Sequence, residues 1–482
     1  MAIWIDSRPD YHSYDVPEYS GNPLIEAMVP PPAGHKDALR RLIHKPIFHG
    51  SERELADAVR MTLPVRLSNF FFPMGRHVRI LNRIYAQIFS GYVGRNPLTC
   101  EGQSRLYGSK NIGTTFSQGN HLPMAKPGTI MVISGLSGMG KSTLMKALMA
   151  SLGKPVIEHS NYRGKAFTEK QLLYLMRNVP DQCSARALCI SLCRQAAVLI
   201  GQPDYERRAR SNTLTRREAV ELLAEIVANF HIGALVIDEL QNISLAHSGG
   251  ADEVLALIHN LRDELGVPLI LIGTYKVAAL IMRSAAVAQR VTEMGFHDLE
   301  RPLSCDDPDW RSLCEIAWGY QWVKDPAPWD EDINETLYEC SQGITRIMLF
   351  VFIASQMEAI ENGTERVDAA LLKSVFQNRF RPLHPIVQAL KSGKQEFLEV
   401  YDDLCTKAFD ALKSDSILSR AETIRRAVEQ AMQEPLGMIT TQQAAASGDE
   451  VDGGTAEEKK SMDSEELAAA LSESQRPSPV GI

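Results

Sequence analysis

A glycine-rich run with a single lysine points most directly to chemistry in this sequence. Residues 135–143 read Gly-Leu-Ser-Gly-Met-Gly-Lys-Ser-Thr, after an apolar run and before a helix-prone one. Glycines at this spacing let backbone N–H groups approach phosphate oxygens, and the N-terminus of the following helix adds a favourable dipole. The spacing predicts a phosphate-binding loop for ATP, in which Lys141 reaches the β- and γ-phosphates and Ser142 is a ligand of Mg²⁺. The loop residues predicted to contact the nucleotide are Gly135, Ser137, Gly138, Met139, Gly140, Lys141, Ser142 and Thr143.

Two carboxylates end a second apolar run, which reads Leu-Val-Ile-Asp-Glu at residues 235–239. Asp238 is predicted to bind the nucleotide and its Mg²⁺, and Glu239 is predicted to orient the attacking water. A strand that turns into a solvated helix start has the same pattern, so this interpretation depends on the preceding loop. Thr274 follows the apolar run at 269–272 and is predicted to hydrogen-bond the water or the γ-phosphate; a helix cap is the alternative.

Arginine side chains are the third group of candidates, because phosphoryl transfer needs positive charge near the γ-phosphate in the transition state. Arg346 opens a helix in the later, all-helical part of the sequence. It is predicted to reach the nucleotide from there, and a solvated helix start is the alternative. Arg290 is the first candidate, and Arg283 the second, for an arginine that acts on the nucleotide of a neighbouring subunit.

Apolar runs that alternate with helix-compatible segments must position these groups. The runs at 129–134, 154–158, 234–238 and 268–274 predict a parallel sheet covered by helices, which is an α/β fold. Beyond residue 302 the periodicity is helical only and predicts a small all-helical lid. The predicted domains are an extended or partly helical N-terminal arm at 1–75, a nucleotide-binding core at 76–302, the lid at 303–382, a C-terminal helical extension at 383–433 and an acidic, disordered tail at 434–482.

The distribution of charge along the chain leaves nucleic acid open as a partner. The 482 residues carry a formal net charge of −8, but residues 434–482 hold ten acids and three bases, so the first 433 residues carry only −1. Phosphate affinity depends on how cations cluster on a surface. The eight cysteines lack metal-ligand spacing, and no apolar run has the length of a membrane span or the form of a signal peptide. We therefore expect a multidomain cytoplasmic protein.

The motifs together resemble those of an AAA+ ATPase, with a Walker A loop, a Walker B strand, a polar strand end and a helical lid. Within that superfamily, several stretches resemble the TnsC family of ATP-dependent regulators of Tns-type transposons. They are the residues at 20–27, 91–97, 235–241, 270–274, 341–343 and 383–385. The block Gly-Tyr-Val-Gly-Arg-Asn-Pro at 91–97 is far more specific than either Walker motif.

The resemblance implies an ATP-bound homo-oligomer, a ring or a filament, that encircles or coats double-stranded DNA in the bacterial cytoplasm. It further implies that a target-selection protein docks on this oligomer and that the oligomer recruits and activates the transposase subunits. ATP and Mg²⁺ would be the cofactors, and hydrolysis would act as a switch in DNA transposition, a form of DNA recombination. The segments that flank the core, at 1–70 and after 400, would dock partners.

Basic residues between the second and third predicted strands are the candidates for DNA contact. They are Arg163, Lys165, Arg186, Arg207, Arg208 and Arg210. Contacts from these side chains to phosphates would be independent of base sequence and sensitive to salt. Two alternatives remain open: a nucleotide-gated scaffold that recruits proteins and hydrolyses ATP only incidentally, and an AAA+ ATPase of a system without DNA.

Overall fold

Five parallel strands form the central sheet, in the spatial order Tyr174–Asn178, Ala234–Asp238, Leu269–Ile272, Ile130–Ser134 and Phe296–Asp298. The computed structural model describes residues 9–103, 128–211, 213–243, 256–259, 261–263, 266–282 and 293–392. The strands are β1 Ile130–Ser134, β2 Val156–Glu158, β3 Asn161–Tyr162, β4 Lys165–Ala166, β5 Lys170–Leu172, β6 Tyr174–Asn178, β7 Ala234–Asp238, β8 Leu269–Ile272 and β9 Phe296–Asp298. The predicted α/β fold with a parallel sheet flanked by helices is confirmed.

Helices cover the sheet and form the later part of the described chain. They are α1 Pro23–Glu26, α2 His35–Leu42, α3 Asp57–Arg60, α4 Gly75–Val93, α5 Lys141–Ser151, α6 Ala185–Ile200, α7 Pro203–Ala209, α8 Arg216–Asn229, α9 Tyr275–Met282, α10 Pro308–Trp318, α11 Glu331–Ser341, α12 Thr345–Glu361, α13 Ala369–Arg379 and α14 His384–Lys391. Three of the later helices start at an aspartate whose carboxylate accepts backbone N–H groups of the first turn: Asp307, Asp330 and Asp368. Such caps fix where a helix begins, because the first N–H groups have no partner within the helix.

The central strands are buried on both faces, and alternate residues enter two different apolar clusters. Ile130 and Val132 of β1 point into a cluster with α6 and α8. Met131 and Ile133 point to the opposite face, which is covered by α4 and α5. Because side chains alternate along a strand, an uninterrupted apolar run places both of its faces in a core.

One predicted strand of the parallel sheet lies elsewhere. Within the run at 154–158, β2 pairs antiparallel with β5 in a separate two-stranded sheet, so the prediction that this run joins the parallel sheet is wrong. The edge position beside β7 is taken by β6, whose Leu175 is fully buried while Asn178 is exposed. Val156 and Ile157 are only partly buried, so their apolar character does not mark a strand inside the main sheet.

The lid helices α10 to α13 pack around tryptophan and phenylalanine side chains. Trp310 and Trp322 are fully buried, and the ring of Trp318 stacks on that of Phe352 with centroids 4.6 Å apart. The same cluster takes in Leu63, Leu67, Phe70 and Met74, which belong to the chain before the core. Among the described helices none alone is long and apolar enough to cross a membrane, and α11 with α12 meets that test only as a pair bent by 118°.

The N-terminal segment is irregular, with short helices, and it packs closely on the rest of the described chain. Leu24, Ile25 and Met28 are fully buried in the cluster on the α4 face of the sheet. Further along, the fully buried guanidinium of Arg60 donates to Glu365 of the lid, with one N–O distance of 2.6 Å. Residues before the core therefore complete the cores of both the sheet and the lid.

The block at 91–97 joins the end of α4 to the sheet. The hydroxyl of Tyr92 donates to the carbonyl of His231 at 2.8 Å, and Nη1 of Arg95 donates to the carbonyl of Ile232 at 2.7 Å. The amide of Asn22, from the block at 20–27, donates to the carbonyl of Tyr92 at 2.9 Å. Two of the stretches that carry the family resemblance thus contact each other and the chain just before β7.

Candidate nucleotide-binding site

The glycine-rich loop connects β1 to α5 and has the backbone shape that only glycine adopts readily. Gly135, Gly138 and Gly140 have φ angles of 154°, 87° and 84°. A Cβ atom on Gly135 would lie 2.9 Å from the carbonyl oxygen of Leu299, so this position also lacks room for a side chain. These φ values are unfavourable for residues with a Cβ atom, which explains the glycines in physical terms.

Lys141 begins α5 and folds back over the loop. Its Nζ donates to the carbonyl of Gly135 at 2.8 Å and to that of Leu136 at 2.9 Å, and the residue is buried. The half-buried carboxylate of Asp298, at the end of β9, accepts a hydrogen bond from the hydroxyl of Tyr275 at 3.0 Å. Burial raises the pKa of Asp298, while the Tyr275 hydrogen bond and the charge of Lys141 lower it.

Asp238 ends β7 next to the start of α5. Burial raises the pKa of Asp238, while a hydrogen bond from the side chain of Ser142 lowers it. Its Oδ1 accepts the backbone N–H of Glu239 at 2.9 Å, and its buried Oδ2 has no hydrogen-bond partner among the described residues. A carboxylate with one unpaired oxygen, beside a serine hydroxyl, has the oxygen donors that Mg²⁺ prefers. Asp238 and Ser142 therefore fit the predicted metal site.

Glu239 and Thr274 are linked by Gln241, a residue with no distinguishing signal in the sequence. The side-chain amide of Gln241 donates to the carboxylate of Glu239, and its Oε1 accepts the backbone N–H of Thr274 at 3.2 Å. Glu239 has a φ of 57°, a left-handed conformation that is uncommon for a residue with a side chain. The buried hydroxyl of Thr274 has no hydrogen-bond partner in the described part of the chain, so it does not cap α9 there.

A cavity of about 400 Å³ opens beside the loop. The loop residues 137–143 and Glu239 line one side of it. Phe70, Phe71, Phe72 and Met74 line another, and Leu313, Leu349 and Phe350 come from the lid. Apolar and aromatic walls with a few polar groups are typical of small-molecule sites. The aromatic wall has no periodic signal in the sequence, and only its run of three phenylalanines hints at it.

Arg346 joins the lid to this cavity. Its backbone N–H donates to the carbonyl of Gly138 at 3.0 Å, and its guanidinium lies 5.5 Å from the ring centroid of Phe350. Its side chain lines the same cavity as Lys141 and Glu239. The structure thus brings three of the predicted catalytic residues together around one space.

The remaining predicted residues lie outside the cavity or outside the described residues. Arg290 and Arg283 lie outside the described residues. The same is true of the predicted extension beyond residue 392 and of the predicted tail.

The basic residues predicted to contact DNA are mostly engaged within the chain. The carboxylate partners are Glu26 for Arg163, Asp204 for Arg207, Glu225 for Arg208 and Glu206 for Arg210. Arg186 donates to the carbonyl of Leu214, and Lys165 is exposed on β4. Four of the six candidates therefore already have a neutralising partner.

Comparisons with known proteins find one family model that matches part of the chain. Residues 125–281 match the model of the AAA domain. A comparison of the sequence with curated proteins found no match. Similar solved structures include the Aeropyrum pernix Orc1 protein in complex with DNA, with 15% identity, a TM-score of 0.35 and coverage of 68% of this chain and 82% of that one.

Two further structures have comparable similarity. Cdc6p from Pyrobaculum aerophilum has 15% identity and a TM-score of 0.35, with 72% of this chain and 89% of that one covered. The RuvB Holliday junction branch migration motor of Thermotoga maritima has 11% identity and a TM-score of 0.32, with 58% and 68% covered. From the matched domain, the parallel sheet and the loop between β1 and α5, we conclude that this chain is built around a nucleotide-binding core with the AAA+ P-loop ATPase fold.

Proposed function

We propose that this chain is an ATP-hydrolysing regulator of DNA transposition that assembles as a homo-oligomer on double-stranded DNA. Hydrolysis is supported by one observation above all: Lys141, Glu239 and Arg346 line a single cavity beside the phosphate-binding loop. The DNA, transposase and target-selection partners are supported by the resemblance to the TnsC family. The block at 91–97 carries most of that resemblance.

The loop binds the triphosphate. Backbone N–H groups of residues 138–143 donate hydrogen bonds to the phosphate oxygens, and Lys141 exchanges its two carbonyl partners for the β- and γ-phosphates. Ser142 and Asp238 would hold Mg²⁺, which would neutralise charge on the phosphate oxygens. The aromatic wall at 70–72 covers the apolar part of the nucleotide and excludes water from it.

Glu239 orients the water that attacks the γ-phosphorus. A new P–O bond forms to the water oxygen, the bond to the β-phosphate oxygen breaks, and Glu239 receives the water proton. Gln241 hydrogen-bonds both the carboxylate of Glu239 and the backbone N–H of Thr274. It therefore acts as a positioning residue for both. Arg346 extends from the lid and brings positive charge to the γ-phosphate oxygens, over which negative charge spreads during the reaction.

Two variants with opposite expected effects test this function. Glu239→Gln should bind ATP and load on duplex DNA, while its hydrolysis rate falls by about 10²–10⁴-fold. Lys141→Ala should lose ATP-dependent loading altogether. Gel shift with ATP and phosphate release measure the two properties on the same preparations.

The outcomes separate the alternatives. Normal loading of Lys141→Ala would remove the loop from DNA assembly. In vivo transposition by Glu239→Gln that equals the wild type in frequency and target choice would support a scaffold with incidental hydrolysis. A wild-type protein that hydrolyses ATP but binds no duplex at low salt would indicate an AAA+ ATPase of a system without DNA.

A further inference from the structure

Helix α4 carries two exposed arginines one turn apart, Arg79 and Arg83. The face they share borders β9, the edge strand of the sheet, because Nη1 of Arg83 donates to the carbonyl of Met294 at 2.8 Å. The ring of His297 on β9 lies beside them, with its Nε2 at 3.4 Å from the same Nη1. We call Arg79, Arg83 and His297 the α4 basic ridge.

The charge of the ridge is not balanced within the described chain. No carboxylate among the described residues pairs with Arg79 or Arg83, whereas the nearby Glu293 is taken by Arg262 at 2.6 Å. Of the other two acids at this edge, Asp298 accepts a hydrogen bond from Tyr275, and Glu300 is exposed. Burial lowers the pKa of His297, and the charges of Arg83 and Arg79 lower it further. The ring is therefore neutral, and the two arginines supply the charge.

Most of the arginines that the sequence predicts to contact DNA have a carboxylate partner, unlike the arginines of the ridge. Arg163, Arg207, Arg208 and Arg210 each form an ion pair with a carboxylate of the same chain. A phosphate would have to displace that carboxylate before it could gain the contact. Two like charges one turn apart on a helix repel each other mildly, and phosphates bound to them offset that repulsion.

We infer that Arg79 and Arg83 of α4 contact two phosphates along one strand of double-stranded DNA. This inference rests on the proposed DNA binding and names a surface for it. Their Cα atoms are about 6 Å apart along the helix axis, so the two long side chains can reach neighbouring phosphates of one strand. Guanidinium groups bind phosphate oxygens through charge-assisted hydrogen bonds and read no base sequence. An AAA+ protein that loads on varied target sites needs contacts of this kind.

The test removes the two charges and compares DNA affinity with that of a matched control. Arg79→Ala with Arg83→Ala is the test variant, and Arg217→Ala with Arg366→Ala is the control. Arg217 and Arg366 are also exposed, but each is paired, with Glu221 and with Asp325. Fluorescence anisotropy with a labelled duplex and an ATP analogue measures DNA affinity between 50 and 200 mM salt. Across this range, six to ten phosphate contacts change affinity by about 10³–10⁵-fold.

Two lost phosphate contacts should make the slope of log K against log salt shallower by about 1.8 in the test variant. Affinity at low salt should fall about 10–100-fold, while the control changes little. ATP hydrolysis without DNA, thermal unfolding and ATP-dependent self-association should match the wild type. Arg79→Lys with Arg83→Lys should keep most of the slope, because the charges remain.

Three results would decide against the ridge or against the function it rests on. A test variant with the affinity and slope of the control would overturn the DNA contact, since the wild type in the same titration binds. Loss of self-association together with DNA binding would instead assign the ridge to a neighbouring copy of this chain. A wild-type protein without DNA binding at the lowest salt would fail the proposed function itself.

Discussion

Substitution of Gly138 by alanine should separate the lid from the phosphate-binding loop. A Cβ atom at this position would lie 2.9 Å from Cγ2 of Ile344 and 3.3 Å from Cβ of Arg346, both at the start of lid helix α12. The carbonyl of Gly138 also accepts the backbone N–H of Arg346 at 3.0 Å. The new methyl group therefore pushes against the residues that hold lid and loop together.

The size of the effect follows from two costs. Alanine at a φ of 87° costs about 1–2 kcal/mol, of which about 0.4–1 kcal/mol is offset because alanine restricts the unfolded chain. The close contact with Ile344 adds about 1–3 kcal/mol, as in other overpacked sites. We expect the free energy of unfolding to fall by roughly 2–3 kcal/mol. Nucleotide affinity should fall with it, because Arg346 lines the cavity.

Gly140→Ala is the matched control. Gly140 has nearly the same φ, 84°, but a Cβ atom there would meet no described atom within 4 Å. Urea unfolding without nucleotide, followed by tryptophan fluorescence, compares the two variants; Trp310, Trp318 and Trp322 of the lid are buried and report on it. If both variants lose the same stability, the contact between lid and loop contributes nothing and the reasoning is refuted.

Three further perturbations have defined outcomes. Tyr275→Phe removes a hydrogen bond that lowers the pKa of half-buried Asp298, so stability should fall by about 1 kcal/mol; an unchanged urea midpoint at pH 7 would contradict this. Arg60 hydrogen-bonds Glu365 and lowers its pKa, so this pair stabilises the protein above the unfolded pKa of about 4.3 and less as pH falls through the lower folded pKa. Arg60→Met should lower the free energy of unfolding by about 3 kcal/mol at pH 7 and make the urea midpoint fall less steeply with acid. A urea midpoint that falls as steeply as in the wild type would argue against the pair. Asp238→Asn should bind ATP in EDTA as the wild type does but gain nothing from added Mg²⁺ in calorimetry; a preserved gain would remove Asp238 from the metal site.

The sequence predicts the centre of the sheet well and its edges poorly. Strands β1, β7 and β8 read as continuous apolar runs because neighbouring strands and helices bury both of their faces. The edge strand β6 contains Arg177 and Asn178, and β9 is only three residues long, so neither has such a run. The apolar residues of β2 are only partly buried, in a different sheet. Edge strands carry a weaker pattern because only one side of them is paired.

The candidate site shows the same division. The loop and the carboxylates at 238 and 239 are local signals, since their chemistry depends on residues that are adjacent in the chain. The aromatic wall at 70–72 and the link through Gln241 depend on contacts between distant segments and on side-chain direction. The block at 91–97 is informative as a family marker, and in the structure its side chains hold α4 against the sheet. Its specificity as a motif therefore does not make it part of the cavity.

The segment before the core determines which fragments of this protein can be produced in a folded form. The AAA domain match begins at residue 125, yet the face of the sheet opposite α6 and α8 is covered by α4 and by Leu24, Ile25 and Met28. An excised fragment that starts at the match would keep α5 but leave in water the part of that face covered by α4 and these three residues, and such apolar patches cause aggregation. The smallest soluble ATPase fragment should therefore start before residue 22, and truncation series or domain exchanges between relatives should carry these residues along with the core.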